Sequence, residues 1–180
     1  SISKSDLPVD KSKIKSNDMT KYFKNSKKFK VRVYGKDGKL AIGKYVKFTI
    51  AGHTCKIKTD KNGYASLKVN KKPGTYTVQI SYGKLKVKNK IVVKSTLKTK
   101  NVSKKVKKSG KFTVKVLNSK GKAYSKQTVK IKFKGKTYYL KTNKRGIATF
   151  KLSKNLKAGK YTIKTTCNGL TNSNKITVKK

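Results

Sequence analysis

Apolar residues recur at every second position through most of this chain. Phe29–Tyr34 (FKVRVY) puts Phe29, Val31 and Val33 on one side and Lys30 and Arg32 on the other, the period of a strand buried on one face. Tyr45–Ile50 alternates through Val46, Phe48 and Ile50, Thr54–Thr59 through Cys55 and Ile57, and Tyr64–Val69 through Ala65, Leu67 and Val69. Thr75–Tyr82 turns Tyr76, Val78, Ile80 and Tyr82 inward, and Val87–Lys94 carries Ile91 and Val93. Turn formers separate the runs: Lys36-Asp37-Gly38, Ala51-Gly52, Asp60 to Gly63, and Pro73-Gly74. Lys13–Asn17 is a short first strand, and the following TKYFKNSKK (residues 20–28) reads as a basic hinge. No segment has a helical period. About seven strands with turns every ten residues or so predict an all-β sandwich.

The pattern is written twice. TDKNGYASLKVNKKPGTYTVQISY (Thr59–Tyr82) returns as TNKRGIATFKLSKNLKAGKYTIKTTC (Thr142–Cys167). A constant spacing of 83 carries Phe29 onto Phe112, Val31 onto Val114, Val46 onto Val129 and Gly63 onto Gly146. Two extra residues before Gly159 raise it to 85, matching Gly74 with Gly159, Tyr76 with Tyr161 and Ile91 with Ile176. The predicted organisation is a leader over 1–12, one domain over 13–94 and a second over 95–180. Each unit is long enough for one small, thin core. The first strand recurs as Thr96–Lys100 and the hinge as SKKVKKSGK (residues 103–111). A Tyr opening the sixth strand after a corner, Tyr76 or Tyr161, matches the tyrosine corner of immunoglobulin-like sandwiches. Where antibody domains place their second cysteine, two residues on, this chain has Val78 and Ile163.

Charge changes the picture. There are 51 Lys plus Arg against 5 Asp and no Glu, for a net charge of +46. The acids are Asp6, Asp10, Asp18, Asp37 and Asp60; from Ser95 onward there are 26 basic residues and no acid. An AT-rich genome would inflate Lys, but it would inflate Asp and Glu as well, so the scarcity of acids points to selection for positive charge. Arg occurs once per unit, as Arg32 and Arg145. Lys is a hydrated point charge, whereas Arg gives two-pronged recognition, so the balance favours diffuse attraction to anionic polymer. Lys100, Lys104, Lys105, Lys107, Lys108 and Lys111 form a candidate anion-binding strip. Within it, Asn101-Val102-Ser103 fits an N-glycosylation acceptor.

Reactive chemistry finds few residues to work with. His53 and Cys55 share a strand face and suggest a Cys–His pair, but their counterparts are Lys136 and Tyr138, so the unit does not need them. One His and two separated Cys make no tetrahedral metal site. Asp37 and Asp60 lie in different turns, too scattered for calcium. A Lys–Asn or Lys–Asp isopeptide cross-link would need a buried carboxyl, with Asp18, Asp37 and Asp60 as the candidates. Cys55 and Cys167 fall in different units and read as two buried thiols rather than a disulfide. No cofactor, metal or catalytic activity is expected, and no apolar run is long enough to insert in a membrane.

The sequence resembles the immunoglobulin-like repeats of large surface adhesin-like proteins, above all those of methanogenic archaea. The family pattern appears in the first unit as Lys21, Tyr22, Lys24, Asn25, Lys27, Lys28 and Phe29, then Asp60, Gly63, Ala65 and Leu67, then Pro73, Gly74, Tyr76, Thr77 and Val78. The second unit departs from it at Lys105, Val106, Asn143 and Ala158. The resemblance implies an extracellular, cell-surface location, a role in display or adhesion, and neighbouring immunoglobulin-like repeats in a longer chain. The leading reading is a non-enzymatic basic stalk or adhesive surface for anionic cell-surface polymers, glycans or other cells. The alternatives are a nucleic-acid-binding basic protein, held by phosphate contacts, and a passive spacer.

Overall fold

Alternation that buries one side chain in two needs a second apolar layer to close on, and each half of the chain supplies its own. The computed structural model describes residues 7–180, and the chain divides between Lys94 and Ser95 into two units. The first contains β1 (Lys13–Lys15), β2 (Met19–Tyr22), β3 (Phe29–Tyr34), β4 (Tyr45–Ile50), β5 (His53–Lys58), β6 (Tyr64–Leu67), β7 (Gly74–Tyr82) and β8 (Leu85–Lys94). The second contains β9 (Leu97–Lys98), β10 (Val102–Lys105), β11 (Gly110–Val116), β12 (Thr128–Phe133), β13 (Lys136–Lys141), β14 (Ile147–Leu152), β15 (Gly159–Cys167) and β16 (Leu170–Lys179). Part of the expected leader, residues 1–6, lies outside the described residues.

Both units have one topology. A three-stranded sheet, β1-β3-β6 or β9-β11-β14, faces a five-stranded sheet, β2-β8-β7-β4-β5 or β10-β16-β15-β12-β13. Each is an immunoglobulin-like β-sandwich. Phe29, Val31 and Val33 of β3 and Val46 and Phe48 of β4 are buried, and the Phe29 ring meets Phe48 edge-on at 6.3 Å. In the second unit Phe112, Val114, Val129, Ile131, Ile163 and Ile176 have no exposed surface. Val78 and Ile163, at the antibody cysteine position, are fully buried too, so aliphatic packing fills the space of the absent disulfide.

The tyrosine corner forms in both copies. Tyr76 Oη donates to the Lys72 carbonyl at 2.6 Å, and Tyr161 Oη to the Lys157 carbonyl at 2.7 Å. Tyr161→Phe is expected to cost about 1 kcal/mol, the net worth of one such bond, read as a lower midpoint in denaturant at unchanged slope.

Two expectations need correction. The basic hinges contain strands: β2 runs parallel to β8, with Met19 opposite Ile91, and β10 runs parallel to β16, with Val102 opposite Ile176. Each unit therefore has eight strands. Cys55 is also not a core thiol. It is exposed on β5, an edge strand bonded only to β4, and Ile57 beside it is only half-buried. The counterpart strand β13 is equally open, although Tyr138 lays its ring 4.9 Å from Phe150. Cys167 is buried at the end of β15, and neither cysteine is in a disulfide.

Candidate anion-binding face

The four described carboxylates are built into turns and strand junctions. Asp10 Oδ1 accepts from Ser12 N and Oγ, and Asp37 Oδ1 accepts from Lys39 N. Asp60 Oδ1 accepts from Asn62 N at 2.8 Å and Tyr64 N at 3.0 Å. Asp18 Oδ1 accepts from Lys90 N and Asn89 Nδ2, both at 2.9 Å. The N–H of Tyr64 and then that of Asn62 hold the Asp60 carboxyl below the usual carboxylate range, helped by Lys30 and Arg32. The N–H of Lys90 and the Asn89 amide do the same for Asp18. Asp18, Asp37 and Asp60 are all exposed, so none is the buried carboxyl that an isopeptide cross-link requires.

At the places of Asp60 and Asp18 the second unit keeps the bonds and discards the charge. Asn143, in the place of Asp60, accepts from Arg145 N at 2.9 Å and Ile147 N at 3.1 Å through Oδ1. Asn101, in the place of Asp18, accepts from Lys175 N at 3.0 Å and Asn174 Nδ2 at 3.1 Å. An Asn oxygen accepts an N–H much as a carboxylate oxygen does. The proposed glycosylation acceptor is thus also an exposed structural brace at the start of β10.

The expected lysine strip is not one surface. Lys104 turns inward on β10 and is 9% exposed; its ammonium donates to the Lys108 carbonyl at 2.6 Å and the Lys105 carbonyl at 3.1 Å. Lys21 does the same on β2, donating to Val69 O at 2.6 Å and Asn25 O at 2.7 Å, and burial pushes its pKa down. In both, the aliphatic stem fills a core position while the head caps carbonyls. Lys105, Lys107 and Lys108 are exposed around the following turn. Lys100 and Lys111 do come together, in an open groove of about 500 Å³ that Lys98 and Lys115 complete. Neither of those two belonged to the sequence strip. They meet because β9 pairs with β11, placing Lys98 opposite Lys115.

His53 and Cys55 sit on the exposed edge strand β5, and Asp37 and Asp60 are each occupied with their own turns. Among the described residues no three metal-ligating side chains cluster, and no helix is long and apolar enough to cross a membrane.

No family model matches the chain, and no curated protein does. Among solved structures it is similar to the I9–I11 tandem of titin, at 17% identity over 93% of this chain and 65% of that one, with a TM-score of 0.45. It is also similar to invasin, a bacterial integrin-binding protein, at 16% identity over 93% of this chain and 38% of that one, TM-score 0.39. Domains 4 and 5 of the S-layer protein SbsC align at 13% identity over 75% of this chain and 77% of that one, TM-score 0.38. The chain spans less than two thirds of the length of the titin and invasin chains.

Proposed function

We propose that this chain is a non-enzymatic, extracellular cell-surface module of the adhesin-like kind, whose basic outer faces hold anionic wall polymers or glycans. The archaeal adhesin-like repeats it resembles are the source of the location. The carrying observation is the pair of replacements at Asn101 and Asn143. Each keeps two hydrogen bonds at unchanged positions and removes one negative charge, in a unit with 26 basic residues and no acid. Turn stability does not demand that exchange; a positive surface does.

Binding of the labelled chain to whole cells or isolated wall polymer tests this. Counterion release makes affinity fall steeply with salt, and six or so contacts lose about ten-thousandfold or more between about 0.05 and 0.5 M. Binding that is unchanged across that range removes the electrostatic reading, and labelling of intact cells tests the location.

A further inference from the structure

The duplication supplies an internal comparison. On the outer face of the first unit's three-stranded sheet, the cations already have partners. Lys30 Nζ lies 4.7 Å and the Arg32 guanidinium 4.8 Å from the centre of the Tyr64 ring. Arg32 Nε donates to Asn62 O at 3.0 Å, and both cations lie in the field of Asp60. The Tyr64 ring and Asp60 offset part of the charge on this face, where Lys15 also stands opposite Arg32.

On the same face of the second unit the ring and the carboxylate are gone. Tyr64 is replaced by Ile147 and Asp60 by Asn143. Lys115 stands directly opposite Lys98, and Lys111 opposite Lys151. Like charges facing each other across strands oppose folding, and this domain has no carboxylate side chain to offset them. Lys98, Lys111 and Lys115 border the groove, with Lys100 on its rim where the first unit has Asn17. A second lysine-lined depression, at Lys132, Lys134 and Lys164, is partly satisfied, since Lys134 lies 5.6 Å from the Tyr161 ring.

Resting on the function proposed above, we infer that the β9–β11 groove of the second unit is the binding site for an anionic polysaccharide chain. Lys111 and Lys115 lie four residues apart on β11, about 13 Å along the strand, with Lys98 on the next strand about 5 Å from Lys115. Cations spread in this way along two strands suit a polymer whose carboxylates or sulfates recur along its length. Single mobile ammonium groups take such anions one at a time. Thr99 and Thr113 supply hydroxyls to the groove for the sugar's own hydroxyl groups. Its lining contains no aromatic ring, and stacking rings are what single-stranded nucleic acid sites rely on.

The test compares two variants of the whole chain carrying equal charge loss. One is Lys98→Gln/Lys111→Gln/Lys115→Gln; the control is Lys132→Gln/Lys134→Gln/Lys164→Gln. Kd is measured by calorimetry for an alginate oligomer, a heparin oligosaccharide and an oligothymidylate of matched charge. The groove variant is expected to bind the glycans about tenfold or more weakly, with the salt exponent reduced by about two to three, while the control changes less than about threefold. Amide shifts on glycan titration are expected to centre on residues 98–115. Alginate and heparin arms separate carboxylate from sulfate as the preferred anion. Equal losses in the two variants overturn the site and leave the functional proposal standing. Failure of the unmodified chain to bind any glycan at low salt overturns that proposal and the site with it. Binding of oligothymidylate at least as tightly as either glycan overturns the ligand class.

Discussion

Gly146→Ala is expected to destabilise the second domain by about 3 kcal/mol or more, whereas Gly63→Ala at the equivalent place in the first costs about 1–2 kcal/mol. Both glycines have positive φ, 74° and 77°, so both lose the left-handed conformation a side chain disfavours. The difference is what a methyl group would meet. At Gly146 it would stand 2.5 Å from the Val116 carbonyl oxygen and 2.9 Å from the Tyr124 nitrogen. Both are backbone atoms that can retreat only by moving the end of β11. At Gly63 the closest atom is Leu40 Cδ2 at 2.9 Å, with Val33 O at 3.1 Å, and a leucine methyl can rotate away. The Gly146 carbonyl accepts from Val116 N at 2.8 Å, as the Gly63 carbonyl does from Val33 N at 2.9 Å, so the clash with the Val116 backbone also strains that bond. In melting temperature the Gly146 variant is expected to fall by at least about 12 °C. Calorimetry of the two single variants decides the matter: equal shifts would mean that the close approach at Gly146 carries no energy. Because β11 also bears Lys111 and Lys115, the same variant is expected to loosen the groove.

That turn was legible as a repeat anchor from its glycine alone, and the strands around it were legible from period two. Phe112, Val114 and Val116 read as inward and are inward. What the sequence concealed follows one physical cause. β2 and β10 also alternate, but their inward positions include Lys21 and Lys104. A lysine at a core position reads as polar, because its sequence letter does not reveal that its stem is buried and its head is bonded to carbonyls. The edge strand β5 misleads in the opposite direction. Cys55 and Ile57 alternate correctly, yet they lie on an edge strand where Cys55 is exposed and Ile57 only half-buried, and edge position is a property of topology. The groove needed register too. Lys100 and Lys111 stood in one basic run, but Lys98 and Lys115 join them only through strand pairing.

Between pH 6 and pH 2.5 the first domain is expected to lose stability while the second loses none. Asp10, Asp18 and Asp60 each have a folded-state pKa below the ordinary 3.8. For Asp10 the cause is the Ser12 hydroxyl and then its N–H; for Asp18 and Asp60 it is chiefly a backbone N–H donated to the carboxylate. As pH falls, the unfolded chain takes up these protons first, so the contribution is complete above about 3.8 and is lost as pH drops through the lower folded values. From Ser95 onward the sequence has no Asp, Glu or His. Asn101 and Asn143 make the corresponding bonds with groups that do not titrate. Residue-resolved native-state hydrogen exchange at several pH values separates the domains: protection is expected to decline below pH 4 in residues 13–94 and to hold in 95–180. A parallel decline would show that the acid response comes from something other than these carboxylates. Asn143→Asp should then transfer acid sensitivity to the second domain, since a carboxylate placed there regains the N–H donors of Arg145 and Ile147 and sits among cations that depress its pKa in the same direction.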